Sequence, residues 1–248
     1  MKFHGNFIGN DDAEKILLNS GGDGPDRCTN DALTQPDDWY YKNVLIDYRH
    51  NKFGHRCKNL EDINLSNYIL FTGCSHTEGV GLELERSYSY LTSELLQCDY
   101  YNLALGGTGI DVLLFNLVAW FSTVKQLPRA VVIQWPDESR FISVEYSSPN
   151  IVPIGTWSDD KKFTASIAAD SMNGIAASRA ILAKKLIEII IPCPIHYVVI
   201  KSQKLPDGLG SKSTFLKVDL ARDLAHFGIK SNESLADELA TVIKQYNE

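Results

Sequence analysis

Apolar residues along this chain gather into short blocks, and the blocks alternate between two kinds of spacing. Tyr68-Ile69-Leu70-Phe71, Tyr100-Tyr101-Asn102-Leu103, Ala130 to Trp135 and Tyr197-Val198-Val199-Ile200 are compact runs with the length and residue types of buried strands. Phe215-Leu216-Lys217-Val218 adds a short fifth. Helical spacing fills the intervals. It is carried by Tyr88, Leu91 and Leu95, by Ile110 to about Gln126, and by roughly Phe163 to Ile190 with a break near Asn173-Gly174. A closing helix carries Leu235, Leu239, Val242, Ile243 and Tyr246 on one face, with Ser231 or Asn232 as N-cap. Strands alternating with helices predict an α/β fold whose sheet is mostly parallel, five-stranded and covered on both faces.

Two stretches stand outside this rhythm. Residues 1–66 are turn-rich (GGDGPDR, TQPDDW, KNLEDIN) and read as an irregular N-terminal extension packed on an α/β domain spanning 67–248. Residues 136–162 lack clear periodicity and carry prolines at 136, 149 and 153. They are expected to form an insertion that shapes the pocket.

Composition narrows the class. The 248 residues, 44% of them hydrophobic, suffice for one substantial core. Net charge is −7 and no basic run occurs, so nothing favours nucleic acid or an anionic membrane as partner. The opening MKFHGNFIGNDDAEK lacks a signal-peptide pattern. The longest apolar stretch, Val112 to Phe121, is too short to span a bilayer. The expectation is a soluble protein, cytoplasmic or virion-associated, of open oligomeric state. Five scattered cysteines suit reduced thiols, and His50, His55 and Cys57 match no common zinc spacing. No metal and no organic cofactor is expected.

In an open parallel sheet, ligands bind beyond the carboxyl ends of the strands. Three unusual segments meet there: Gly73-Cys74-Ser75-His76-Thr77-Glu78-Gly79, the glycine run Gly106-Gly107-Thr108-Gly109, and Trp135 to Arg140. A serine hydroxyl needs a base, and the base needs an orienting group. Asp223-Leu224-Ala225-His226 offers both, between the last strand and the closing helix. The same D-x-x-H spacing at Asp47 and His50 precedes the first sheet strand and is set aside. Neither glycine loop gives a dinucleotide or phosphate-loop pattern.

These segments, in this order, resemble the blocks of SGNH hydrolases (GDSL-type esterases). Gly73 to Gly79 looks like the G-D-S-x-T-x-G first block, Asn102 to Gly107 like the second, and Asp223-x-x-His226 like the last. Asn51-Lys52-Phe53-Gly54-His55-Arg56 is similar to an N-x-x-G-x-R segment that precedes the first block. The wording FTGCSHTEG looks most like phage-type members. The resemblance implies a flavodoxin-like three-layer α/β/α sandwich and hydrolysis of an acyl ester, by family habit an O-acetyl or short acyl group on a carbohydrate. It makes Ser75 the nucleophile, His226 the base and then acid, and Asp223 its partner. The N–H groups of Ser75 and Gly107 would bind the oxyanion. Two departures stand out. Cys74 replaces the aspartate of the first block, and the third block lacks its asparagine, with Glu138 near that place. Gln134 or Arg140 is the candidate replacement donor. His76, Trp135 and Arg140 are candidate substrate contacts. An inactive scaffold with a binding role and an acyltransferase using the same serine are the competing readings.

Overall fold

The structure is a computed structural model that describes residues 1–18, 23–24, 34–144, 150–158, 174–201, 210 and 212–246. The apolar blocks become a five-stranded sheet: β5 (Tyr68–Thr72), β6 (Asp99–Asn102), β7 (Val131–Gln134), β10 (Ile195–Ile200) and β11 (Lys212–Phe215). The spatial order is β11-β10-β7-β5-β6, and every pairing is parallel. β5 and β7 are buried along their whole length, which explains runs without polar alternation.

Among the described residues five α-helices connect and cover the strands: α1 (Ser75–Glu78), α2 (Tyr88–Leu96), α3 (Ile110–Thr123), α4 (Ile175–Ile190) and α5 (Ile229–Gln245). α2 packs on α5, and α3 on α4, giving one helical layer on each face. The chain steps from β5 outward to β6, then crosses back over β5 to β7. That reversal opens a crevice between the carboxyl ends of β5 and β7.

Some elements differ from expectation. α2 buries Tyr88, Ser89, Thr92, Ser93 and Leu96, while Leu95 is exposed, because small hydroxyl residues line its close approach to α5. α5 starts at Ile229 with Gly228 as cap. Ser231 and Asn232 instead lie in its first turn, where the Ser231 hydroxyl accepts from the Val218 N–H and Asn232 Nδ2 donates to the Phe227 and Gly228 carbonyls. β11 lies three residues earlier than the Phe215-to-Val218 run. The predicted helical turns before Asn173 lie outside the described residues.

The N-terminal stretch is more ordered than its turn-rich sequence suggests. β1 (Lys2–His4) pairs antiparallel with β2 (Phe7–Gly9), and β3 (Ile16–Leu17) with β4 (Tyr48–Arg49). Asn116 of α3 clamps β2 by accepting from the Ile8 N–H and donating to the Ile8 carbonyl, each at 2.9 Å. β8 (Phe141–Val144) pairs antiparallel with β9 (Ile151–Ile154), and the pair packs on this same region through Ile142, Ile151 and Ile8. Among the described residues no helix is long and apolar enough to cross a membrane.

Candidate active site

β5 ends at Thr72, and the chain turns through Gly73 and Cys74 into α1, so Ser75 stands at the mouth of the crevice. A side chain on Gly73 would collide with Thr77 and with Gln134 of β7, which is why the turn can be so tight. Cys74 directs both its N–H and its thiol to Gln134 Oε1, at 3.1 and 2.9 Å. Its sulfur is a structural donor facing away from the imidazole.

The Asp223–His226 turn arrives at the same place from the other end of the sheet. His226 Nε2 lies 2.7 Å from Ser75 Oγ, and His226 Nδ1 lies 2.5 Å from Asp223 Oδ2. With the ring proton on Nδ1, held by the carboxylate, the Nε2 lone pair faces the serine hydroxyl. Asp223 Oδ1 also accepts from the N–H groups of Ala225 and His226, at 3.1 and 3.0 Å. Burial raises the Asp223 pKa. The bond and charge of His226 and the two backbone donors outweigh that, and the carboxyl sits below its ordinary value. It is therefore ionised in the working range.

Across from Ser75 lies the glycine loop. Gly107 has φ +75°, a left-handed conformation that glycine adopts without strain. Among the described residues neither the Ser75 nor the Gly107 N–H has an intramolecular acceptor. Gly106 passes so close to Glu78 that a Cβ there would lie 2.8 Å from Glu78 Oε2.

No protein-family model and no curated protein matches this chain. Solved structures do. An acetyl xylan esterase from Butyrivibrio proteoclasticus is 14% identical over 73% of this chain and 64% of its own, with a TM-score of 0.45. A family two carbohydrate esterase from Clostridium thermocellum, solved with cellohexaose, is 16% identical over 74% and 64%, with a TM-score of 0.43. The esterase EstA of a Pseudoalteromonas species, solved with monoethylphosphonate as inhibitor, is 15% identical over 73% and 98%, with a TM-score of 0.43. Esterases of the SGNH or GDSL type are the structural neighbours of this chain. It spans just under two thirds of the length of the two carbohydrate esterases.

The remaining candidate residues of the SGNH-like blocks separate clearly. Trp135 does not reach the crevice. It is 1% exposed and packs against Tyr197, because it points from the end of β7 toward β10 rather than outward. Gln134 is equally buried. Its Nε2 donates to the Trp135 carbonyl at 2.6 Å and its Oε1 serves Cys74, so the amide is committed to the turn. His76 is half-buried and stacks on His226, Phe227 and Phe215. Burial, then the charges of His226 and Arg140, push its pKa down to about 3, so the ring is neutral. Arg140 lies over the ring of Trp157, its guanidinium carbon 4.7 Å from the centroid. Trp157 in turn reaches within 3.5 Å of the place a Gly107 Cβ would take.

The sequence reading passed over two contributors. Trp157 sits in a stretch without periodicity, and its only signal was a large aromatic among polar neighbours. His50, set aside with its D-x-x-H pattern, stands behind the serine turn with its Nε2 3.4 Å from Glu78 Oε1, both side chains buried. His55 is instead turned to Tyr101 and the Ile8 carbonyl.

Proposed function

We propose that this chain is a serine esterase of the SGNH type that hydrolyses an acyl ester, an O-acetyl or short acyl group on a carbohydrate. The observation that carries the reading is the unbroken hydrogen-bonded chain from Asp223 through His226 to Ser75 Oγ, beside two N–H groups, of Ser75 and Gly107, that have no acceptor among the described residues. The Ser75 hydroxyl gives its proton to His226 Nε2 as Oγ bonds to the ester carbonyl carbon. The negative charge gathers on the carbonyl oxygen between the N–H groups of Ser75 and Gly107. Collapse breaks the bond to the alcohol oxygen, which takes the proton from His226 and leaves. Water then repeats the sequence on the acyl-serine, with His226 taking the water's proton and returning it to Ser75 Oγ.

Two backbone donors in place of a cradle completed by an asparagine amide make a slower catalyst, since one donor is typically worth ~3 kcal/mol of barrier. The test is labelling by a fluorophosphonate probe together with turnover of p-nitrophenyl acetate. Both are expected to vanish in Ser75→Ala and in His226→Ala. Turnover that survives Ser75→Ala would place the chemistry elsewhere.

A further inference from the structure

Among the described residues Arg140 is a cation with no anion. Its backbone is fixed three ways: its N–H donates to the Asp137 carbonyl at 3.2 Å, its carbonyl accepts from Arg179 Nη2 at 3.3 Å, and Gly109 presses so close that a Cβ would lie 2.4 Å from that carbonyl. Arg179 is itself held by both carboxylate oxygens of Asp111 at 2.9 Å. The side chain lies over the ring of Trp157, beside the glycine loop. There its Nη1 is buried without a hydrogen-bond partner, and among the described residues no carboxylate lies within ion-pair distance. A buried N–H without an acceptor is a standing cost, and among the described residues this one has none.

Resting on the esterase reading, we propose that Arg140 and Trp157 bind a carboxylate on the carbohydrate, so that the preferred substrate is an O-acylated acidic sugar of the uronate class. A guanidinium carries its N–H groups in one plane, as a fork that matches the two oxygens of a carboxylate. Trp157 is 47% exposed and offers an apolar surface to the sugar ring. Its edge comes within 3.5 Å of the place a Gly107 Cβ would take, so the Arg140–Trp157 pair borders the loop that carries the Gly107 N–H.

The experiment measures acetate release from acetylated methyl galacturonoside and acetylated methyl galactoside, a pair differing only in carboxylate against hydroxymethyl. The full chain is expected to favour the acidic sugar in kcat/KM by about tenfold to a hundredfold. Arg140→Met should bring that ratio close to one, and Arg140→Lys should leave it in between. Fluorophosphonate labelling of Ser75 in each variant verifies that the site is folded. A wild-type ratio near one overturns the proposal. So does an Arg140→Met variant that loses both activities by the same factor, which would mark Arg140 as a donor to the oxyanion. Preference for a sulfated neutral sugar over the uronate overturns the carboxylate specifically. Labelled Ser75 with no release from either sugar overturns the acidic-sugar assignment alone, whereas absence of labelling in the wild type overturns the esterase reading and this inference with it.

Discussion

The carboxylate of Asp223 uses both oxygens, one for the imidazole and one for the backbone of its own turn. Replacing it by asparagine keeps the shape and changes the proton. The new amide would donate to Nδ1 and force the ring proton onto Nε2, where it faces the serine. We expect Asp223→Asn to lower kcat for p-nitrophenyl acetate on the order of 10³- to 10⁴-fold with an unchanged circular-dichroism spectrum. Since the folded carboxyl titrates below its unfolded value, this interaction is fully present above the ordinary aspartate range and is lost as pH falls through the depressed one. Gly106 gives a second prediction. Gly106→Ala would drive a methyl group against Glu78 Oε2, shift the neighbouring Gly107 N–H, and cost kcat more than KM in steady-state assays. At this scale the meeting of Ser75, His226 and Asp223 was legible, because their residue types and their order along the strands already placed them at one sheet edge. Trp135 was not, because nothing in a strand-end tryptophan says which way it turns.

Among the elements, α1 is too short to hold itself, with four residues between a tight turn and the left-handed Gly79. Arg56 holds it from behind. Its guanidinium donates to the carbonyls of Gly79 at 2.5 Å, Leu82 at 2.7 Å and Asp47 at 3.1 Å, and lies over the ring of Tyr48. Arg56→Met would remove the side-chain donor from the Leu82 and Asp47 carbonyls and leave that of Gly79 with the Leu82 N–H. A loss of about 3 kcal/mol or more in urea unfolding is expected, with weakened probe labelling. The upstream motif containing Arg56 was readable in sequence, but its task was not, since the carbonyls of Gly79 and Leu82 that it serves lie 23 and 26 residues away. The β8–β9 pair was illegible for a different reason. Its alternation is short and includes Pro153, and its burial comes from the distant Ile8 and Leu105.

For the whole molecule, acid is the informative stress. Burial holds three histidines in the neutral form: His55 with its pKa pushed down to about 3, His76 to about 3 and His196 to about 4. Unfolded, each would take up a proton near pH 6.5. Between these limits the unfolded chain binds more protons than the folded one, so stability falls as pH drops. Each site adds a slope of up to about 1.4 kcal/mol per pH unit. Melting temperature should therefore decline from about pH 6 downward, and His196→Asn should flatten that decline. A melting temperature constant from pH 7 to 4.5 would count against it. The parallel sheet itself was the most legible feature, because fully buried strands leave uninterrupted apolar runs. The antiparallel strand pairs of the N-terminal region were not, being two or three residues long. The reversal of strand order at β5 has a temporal consequence. The hydroxyl and its imidazole are 151 residues apart, so a nascent or refolding chain stays chemically silent until its final helix has docked. The appearance of probe reactivity would clock that last event, not the earlier collapse of the core.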